Sequence, residues 1–485
     1  MSAPADEPTA PPHGGSGTPD HVVGDQREVF AFLAAPVTHG LKEGETVTRI
    51  DTHGAAVFLA GPFAYKVKRA VFFPYMDFST LQKRRAACAA ETAIGQRSAP
   101  ALYLGVDAIV RRNGTLDLVP EAEAGGDALD YAVKMRRFPA DATLDKVVER
   151  GPLSKAVLTA LAKTVRASHA AAPVVADANT VAAFTAYLED NAREFAARPD
   201  LFDPSTADRL GAAMGAALKR ITPLLKAREE AGLVRRCHGD LHLSNIVLFE
   251  GAPLLFDAIE FNPAIATCDV LYDLAFLVMD LWQRGLLKEA NGLLNRYLWE
   301  RPDDAFLDGL AALPFFLAMR AAIRAKVECS GLVHLAGDTR AQGEARVRHF
   351  FKAAASFMDG APAQGPLPPS VARPEGLMAV GGLSGSGKTT HALAWAPFFG
   401  RPPGAVIVRS DVERKRLAGV PLDEKLPAAS YTPEASVAVY AALERLAGQV
   451  LATGQSVIVD AVHARPGERE KVEEVARKAG VPFAG

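Results

Sequence analysis

The chain has 485 residues, of which 49% are hydrophobic and 23% charged, and its formal net charge is −2. Such a length exceeds one ordinary hydrophobic core, so two or three domains are expected. The balanced charge and the lack of a long apolar run argue against a nucleic-acid partner and a membrane span. The four cysteines form no CxxC pair, which argues against a zinc site or a disulfide scaffold and predicts a cytoplasmic location.

The first part of the chain changes from β-type to helical patterns. Residues 1–24 are rich in proline and glycine and lack the apolar centre of a signal peptide, so we expect a disordered tail. Short β-type runs such as AAVFLAG and FAYKVKR follow, interrupted by one helix-like segment near 79–98. Farther on, apolar residues recur three and four apart, as in helices. This order predicts a β-rich lobe over about 25–138 and a helical lobe over about 139–356.

A polar motif, HGDLHLSN at 238–245, lies in a β-rich insert of the helical lobe. Asp240 and Asn245 have the spacing of the Asp and Asn in a kinase catalytic loop, and Asp257 follows a short apolar strand. Phosphoryl transfer to a hydroxyl needs a carboxylate near the attacking O–H group and oxygen ligands for Mg²⁺. The pattern therefore predicts Asp240 as the base and Asn245 and Asp257 as magnesium ligands.

With CHGDLHLSNIVL, LLFDAIEF and CDVLYDLAFL, the segment 25–356 resembles the aminoglycoside phosphotransferase and choline kinase superfamily, which shares the protein-kinase-like fold. The resemblance implies a bilobal fold, ATP and Mg²⁺ as cofactors and a small-molecule hydroxyl acceptor. It also places His238 in the catalytic set, where it mainly braces the backbone of the loop. Asp269 and Asp273 flank a helix start and are expected to support the site.

The resemblance further implies a strand lysine that contacts the ATP phosphates and a helix glutamate that orients it. Lys66 matches best, and Lys68 is the alternative because residues two apart share one face of a strand. Glu91 is the expected orienting glutamate. Where a glycine-rich loop would cover the phosphates, THGAAVF offers Gly54 alone, so phosphate contact should rest mainly on Lys66 and Mg²⁺.

Several charged residues near this predicted site have two possible roles. His242 lies between the base and a metal ligand and could face the substrate. Glu260 could add a third carboxylate near the metal or hydrogen-bond backbone amides. Arg320, Arg324 and Lys326 are expected on one face of a helix, which would either be solvated or bind an acidic acceptor.

A proline-rich segment at 357–376 predicts an extended, unpacked spacer before a second domain at 377–485. There LMAVGGLSGSGKTTHAL reads as strand, glycine loop and helix, the context that a P-loop requires. The glycines let backbone N–H groups surround phosphates, the lysine reaches the β- and γ-phosphates, and the following threonine binds Mg²⁺. The predicted nucleotide-binding residues are Gly382, Gly385, Ser386, Gly387, Lys388, Thr389 and Thr390.

Two aspartates follow further strands of the same predicted parallel sheet, at the edge where ligands collect. Asp460, after SVIV, resembles the Walker-B acid that holds Mg²⁺ together with Thr389. Asp411 resembles the acceptor-orienting aspartate of small P-loop kinases such as gluconate kinase, chloramphenicol phosphotransferase and the zeta-toxin group. Nearby arginines are candidate phosphate or substrate contacts, although each alone is more often a surface charge. They are Arg409, Arg414, Arg465 and Arg469.

The predicted fold class is therefore a bilobal α+β kinase-like part followed by an α/β P-loop sheet, for which the resemblance to small P-loop kinases implies the strand order 2-3-1-4-5. After VARKAG, the run VPFAG reads as the start of a fourth strand, so we expect this sheet to be incomplete at its C-terminal side. The whole arrangement resembles bacterial aminoglycoside phosphotransferase/ATP-binding fusions, from which antibiotic resistance does not follow.

The leading hypothesis is a bifunctional ATP-dependent phosphotransferase for small hydroxyl compounds. In the alternative, the P-loop part senses nucleotide without turnover and regulates the first site. A protein kinase is a third possibility, although neither a DFG nor an APE motif lies between Asp257 and Asp273.

Overall fold

The structure, a computed structural model, describes residues 21–73 and 75–485. By its internal contacts the chain divides into two compact units. The first contains the described residues up to Gln96 together with Pro100–Arg137 and Glu260–Asn262. The second contains Arg97–Ala99, Phe138–Ile259 and Pro263–Gly485.

The predicted tail of 1–24 lies outside the described residues as far as residue 20, and its last part belongs to the first unit. Val22 forms an isolated antiparallel bridge with Val71. The backbone N–H of Val23 donates to the carbonyl oxygen of Ala70 at 2.9 Å. The expectation of disorder is therefore wrong for this last part, because its backbone pairs with an edge of the unit.

The first unit is built around an antiparallel sheet whose faces differ in polarity. Its elements are α1 (Arg27–Ala34), β1 (Thr48–Asp51), β2 (Ala55–Ala60), β3 (Phe63–Lys68), β4 (Phe72–Phe73), β5 (Met76–Asp77), α2 (Leu81–Ser98), β6 (Tyr103–Arg112), β7 (Thr115–Pro120) and β8 (Ala128–Arg136). The sheet order is β1-β2-β3-β8-β6-β7. On β3, Tyr65 and Val67 join the apolar core beside α1, and Lys66 and Lys68 lie on the other face.

The second unit begins with a helical part whose core is rich in aromatic and aliphatic side chains. Its elements are α3 (Leu144–Glu149), α4 (Lys155–Ala171), α5 (Thr180–Ala197), α6 (Pro204–Glu230), β9 (Val234–Arg236), β10 (Ile246–Phe249), β11 (Ala252–Leu255), α7 (Pro263–Ala266), β12 (Thr267–Asp269), α8 (Val270–Gln283), α9 (Leu287–Trp299), α10 (Leu313–Gly331) and α11 (Gly337–Asp359). The stretch Ala305–Gly331 is long and apolar enough to cross a membrane, but 78% of its most apolar window is buried inside the protein.

A parallel sheet flanked by helices completes the second unit. Its elements are β13 (Leu377–Val380), α12 (Lys388–Trp395), β14 (Val406–Arg409), α13 (Ser410–Leu417), α14 (Pro433–Ala452), β15 (Val457–Asp460), α15 (Pro466–Ala479) and β16 (Phe483–Ala484). The sheet order β14-β15-β13-β16 corresponds to 2-3-1-4. The predicted fold class, a mixed α+β part followed by a parallel α/β part, is confirmed.

The strand β14 pairs with β15 on one side, and on its other side it forms hydrogen bonds with side chains of α9. Asn291 Nδ2 donates to Ala405 O at 3.0 Å, and Asn295 Nδ2 donates to the same oxygen at 3.1 Å. Ile407 N donates to Asn295 Oδ1 at 2.6 Å, and Trp299 Nε1 donates to Ile407 O at 2.9 Å. The three side chains recur every four residues and so lie on one face of α9. They satisfy backbone groups that an open sheet edge would leave unpaired.

The proline-rich segment 357–376 is packed rather than separate. After α11 ends at Asp359 it forms no helix or strand. Leu367 and Val371 nevertheless pack against the core of the parallel sheet, and Gly400 N donates to the carbonyl oxygen of Pro374 at 2.6 Å. The expectation of an unpacked spacer is therefore wrong, because apolar side chains between the prolines bury themselves.

Candidate functional site

The HGDLHLSN loop is held by two carboxylates of α8. Asp273 accepts hydrogen bonds from the backbone N–H of His238 at 3.3 Å and of Gly239 at 2.9 Å. Asp280 Oδ2 accepts from Leu243 N at 3.0 Å. Both aspartates are buried. The sequence predicted Asp273 as a support but missed Asp280, which lies two helical turns farther along the same face.

Asp240, the predicted base, contacts two other side chains of the loop. Asn245 Nδ2 donates to Asp240 Oδ2 at 2.9 Å and to Asp240 O at 3.0 Å. His242 Nε2 lies 3.3 Å from Asp240 Oδ2. Burial raises the pKa of Asp240, but the hydrogen bond and charge of His242, together with the charge of Arg324, outweigh it and hold this pKa below its usual range. Asp240 is therefore ionised at neutral pH and able to accept a proton.

His238 braces the loop through both ring nitrogens. Nε2 lies 2.9 Å from Phe256 O, and Nδ1 accepts from Asp240 N at 3.3 Å. One neutral tautomer, protonated on Nε2, satisfies both contacts. Burial lowers the pKa of His238 despite the nearby Asp273 and Asp240, which agrees with a neutral ring. This is the bracing arrangement that the sequence predicted.

Asp257 is brought next to Asn245 by the hairpin of β10 and β11, since Phe256 N donates to Asn245 O at 3.0 Å. The backbone of Asp257 is left-handed, with φ 60°. A non-glycine residue rarely adopts this conformation, and such strain concentrates at functional sites. Because the amide nitrogen of Asn245 points to Asp240, its amide oxygen faces the opposite way. Carboxylate and amide oxygens suit Mg²⁺, so the two predicted ligands fit that ion.

Beneath the loop, a buried group that the sequence analysis missed combines His169, Cys237 and Asp273. Their potential ligand atoms all lie within 4.8 Å of one another. Both ring nitrogens of His169 already have partners, Tyr297 OH at 2.7 Å and Asp273 Oδ2 at 3.1 Å. We therefore assign this group to the support of the loop rather than to a metal.

In the first unit, Lys66 and Lys68 both contact Glu91 of α2. Lys66 Nζ lies 2.8 Å from Glu91 Oε1, and the Lys66 side chain is 13% exposed. The Lys68 side chain is 2% exposed and contacts both Glu91 and Glu260, the latter at 2.5 Å. Burial lowers the pKa of Lys68, but the charges of these two carboxylates outweigh burial and hold this pKa above its usual value. For the carboxyl group of Glu260 the effect of burial has the opposite sign, and it raises the pKa. Glu260 thus pairs with a buried lysine, which differs from both roles considered for it.

The other charged residues predicted near this site also have defined surroundings. Asp269 caps the N-terminus of α8 by accepting from Leu271 N at 2.7 Å, as predicted. Arg320 is buried and donates to Gly239 O at 3.1 Å, so it supports the loop. Lys326 pairs with Asp190. The expected solvated face is therefore wrong for Arg320, whereas Arg324 lines a cavity beside the loop.

The P-loop lies between β13 and α12, as the sequence predicted. Gly385 and Gly387 have φ of 82° and 85°, which other residues rarely adopt. Lys388 Nζ donates to Leu383 O at 3.3 Å. Ser386 and Thr390 are exposed at the same loop and the first turn of α12. The loop thus has the backbone shape in which amide groups surround phosphates.

Thr389 and Asp460 meet at the end of this loop. Thr389 Oγ1 donates to Asp460 Oδ2 at 2.6 Å. Asp460 is 2% exposed, and its Oδ1 atom has no hydrogen-bond partner among the described residues. A buried carboxylate oxygen without a partner is costly unless a cation or water satisfies it. The pair therefore fits Mg²⁺, the ion predicted there.

Arg409, at the end of β14, reaches this pair from the neighbouring strand. Its Nε lies 3.2 Å from Asp460 Oδ2, and its Nη2 lies 3.4 Å from Thr389 Oγ1. The guanidinium also stands over the ring of Trp299 on α9, 5.0 Å from the ring centroid. Trp299 was not predicted from the sequence, and no local motif there indicates a nucleotide site.

The other predicted residues of the second site have different surroundings. Asp411 is exposed in the first turn of α13. Arg414 stands over the ring of Tyr431 at 5.1 Å. The backbone of Arg465 takes part in the N-terminal cap of α15. Arg469 lies on the exposed side of that helix.

Two stretches of the chain match known domain families. Residues 117–310 match the phosphotransferase enzyme family, and residues 377–484 match an AAA domain. These two matches confirm the predicted resemblance to a phosphotransferase-family domain followed by a P-loop domain. The uncharacterized protein Rv2004c of Mycobacterium tuberculosis is 29% identical over 434 residues, which cover 88% of this chain and 80% of the relative. Mb2027c of Mycobacterium bovis matches to the same extent.

Solved kinase structures show a weaker likeness. A choline/ethanolamine kinase family protein from Mesorhizobium loti aligns with 68% of this chain and 98% of its own, at 15% identity and a TM-score of 0.39. A choline kinase from Cryptosporidium parvum aligns with 69% of this chain and 97% of its own, at 11% identity and a TM-score of 0.40. The assignment of the domains rests on the two family matches.

Proposed function

We propose that the protein transfers a phosphoryl group from Mg-ATP to a hydroxyl group of a small molecule at the HGDLHLSN loop. The observation that carries this proposal is the Asp240 carboxylate, oriented by Asn245 on a loop that two buried carboxylates hold in place. The match to the phosphotransferase enzyme family supports the same class of chemistry.

Each residue has a separate task in this reaction. Asp240, ionised at neutral pH, accepts the proton of the attacking hydroxyl. The oxygens of Asn245 and Asp257 would hold Mg²⁺, and Lys66, oriented by Glu91, would contact the phosphates. Bound Mg-ATP supplies the phosphoryl group and the cation that neutralises its charge. His238 keeps the loop backbone in the geometry that presents Asp240.

An Asp240→Asn variant tests this proposal. We expect phosphate transfer to fall by at least about 10²-fold, the usual loss for a removed general base, while nucleotide binding persists. ADP release should be followed with a metabolite pool as acceptor in a Lys388→Ala background, so that the P-loop site does not contribute. Asp208→Asn, which changes an exposed aspartate of α6, is the matched control. Retained transfer in Asp240→Asn would show that the base is misassigned.

A second function is favoured by the docking of α9 onto β14. We infer that the P-loop domain binds Mg-ATP and, besides any transfer of its own, passes its nucleotide state to the helical part through Arg409 and Trp299. The contact between the Arg409 guanidinium and the Trp299 ring supports this inference. A nucleotide-sensing domain and an independent second kinase differ in one measurable respect, namely whether Lys388→Ala changes the rate at the first site.

A further inference from the structure

A cavity of about 230 Å³ opens beside the HGDLHLSN loop, within the second unit. His242 and Ser244 of the loop form one wall, and Phe276 and Met279 of α8 add buried apolar surface. Because His242 Nε2 lies 3.3 Å from Asp240 Oδ2, the cavity begins one side chain away from the proposed base. A molecule in the cavity could therefore present a hydroxyl to Asp240.

The acidic groups of the cavity are already paired. Asp280 accepts from Leu243 N at 3.0 Å and from Arg284 Nε at 2.8 Å. Glu328 Oε1 accepts from Arg324 Nη2 at 2.6 Å, and Glu328 Oε2 lies 3.3 Å from Arg346 Nε. Each carboxylate thus already has arginine partners. An ammonium group entering the cavity would have to compete with those arginines for its counter-ion.

The basic groups, in contrast, keep donors to spare. Three guanidinium groups, those of Arg284, Arg324 and Arg346, face two carboxylates, so the lining carries one excess positive charge. Each guanidinium has five N–H donors, and the bond from Arg324 to Glu328 uses one of them. Guanidinium groups match the geometry of carboxylate and phosphate oxygens. The lining therefore favours an anion.

We propose that the acceptor of the first site is an anionic hydroxyl compound, one that carries a carboxylate or a phosphate, and that Arg324 and Arg346 bind this anionic group. This inference rests on the proposed function, since it names the substrate class of the same site. It also excludes cationic acceptors such as amino sugars and quaternary amines as good substrates. The apolar surface of Phe276 and Met279 would pack against the carbon chain of the acceptor.

The test uses probes that share one polyol chain and differ only at the terminal group. Gluconate carries a carboxylate, glucitol a neutral hydroxymethyl group, glucamine an ammonium group and glucitol 6-phosphate a phosphate. Their affinities should be measured by isothermal titration calorimetry with the full-length protein in the Lys388→Ala background. We expect at least one anionic probe to bind roughly five- to tenfold more tightly than glucitol, and glucamine to bind more weakly than glucitol.

Variants of the cavity arginines test whether these side chains cause the preference for anionic probes. Arg324→Gln combined with Arg346→Gln should abolish the preference for the anion, while Arg340→Gln, an exposed arginine of α11 outside the cavity, should leave it intact. Thermal melting of each variant verifies folding. Equal affinities, no binding of any probe, tighter binding of glucamine, or a preference that survives in the double variant would overturn the proposal.

The Asp240→Asn variant separates this inference from the function on which it rests. Asparagine retains the shape of the side chain, so the preference for the anion should persist while transfer stops. A normal rate of transfer in Asp240→Asn together with an intact preference would refute the proposed base and leave the anion site standing. Rapid transfer to a cationic acceptor by the wild type would instead refute the anion site and leave the base standing.

Discussion

Lys66 and Lys68 share one face of β3 and both contact Glu91, but their surroundings differ. Lys68 is almost completely buried and is enclosed by Glu91 and Glu260. The Lys66 side chain is more exposed, and its Nζ lies 2.8 Å from Glu91 Oε1. An ammonium group that is almost completely buried is closed off from a ligand, whereas a more exposed one can reach it. We therefore propose that Lys66 contacts the phosphates and that Lys68 supports Glu91.

Substitution of each lysine by methionine distinguishes these roles. Lys68→Met leaves Glu260 buried without its partner, and we expect a loss of about 3–5 kcal/mol in the free energy of unfolding. Lys66→Met should change stability less, because Glu91 keeps Lys68, but should raise the KM for ATP. Urea unfolding and steady-state kinetics measure the two effects. Lys83→Met, at a largely exposed lysine of α2, is the control.

The opposite pattern would reverse the assignment. A stable Lys68→Met protein that loses ATP binding, beside a Lys66→Met protein that keeps it, would identify Lys68 as the phosphate contact. The sequence left this choice open because residues two apart on a strand are equivalent by periodicity. Burial and the partner Glu260, which is 192 residues away along the chain, favour Lys66 as the phosphate contact.

At the scale of elements, the docking of α9 on β14 satisfies backbone groups at the edge of the parallel sheet. Asn295 is the centre of this contact, since its amide donates to Ala405 O and accepts from Ile407 N. Both groups are buried. If the asparagine were absent, the sheet edge would keep a buried N–H group and a carbonyl group with fewer partners, which is costly in the protein interior.

Asn295→Leu should therefore lower the free energy of unfolding by about 1–3 kcal/mol, because a side chain of similar size cannot replace these hydrogen bonds. Urea unfolding followed by circular dichroism measures the change. Lys288→Ala, at an exposed position of the same helix, should stay within about 0.5 kcal/mol of the wild type. A loss no larger than that of the control would mean that water satisfies the edge equally well.

The helices and strands could be predicted from local sequence patterns, whereas the contacts between them could not. The alternation on β3 and the strand–loop–helix pattern around the P-loop predicted the sheets, since both signals lie within a few residues. The asparagines of α9 carry no such signal, because their partners are more than 100 residues away along the chain. The proline-rich segment was misjudged for the same reason, as composition does not report what Leu367 packs against.

At the scale of the whole molecule, the contact between α9 and β14 connects the P-loop site with the helix that holds the HGDLHLSN loop, all within the second unit. Arg409 touches Asp460 and Trp299, and Trp299 belongs to α9, which packs against α8. The helix α8 carries the carboxylates that hold the loop around Asp240. Two sites are coupled when a ligand at one changes the equilibrium of an element that the other depends on. α9 is such an element if Arg409 moves when the P-loop site is filled.

We therefore expect Lys388→Ala, which weakens nucleotide binding at the P-loop, to change kcat or KM at the first site by about fivefold or more, the lower range of typical coupling. Trp299→Leu should remove this difference while both sites still bind nucleotide, so a double-mutant cycle of the two changes measures the coupling. Trp282→Leu, at a partly buried tryptophan at the end of α8, is the matched control. Hydrogen exchange of α9 with and without Mg-ADP provides a second readout. First-site kinetics identical in Lys388→Ala and the wild type would mean that the P-loop domain acts independently of the site at Asp240.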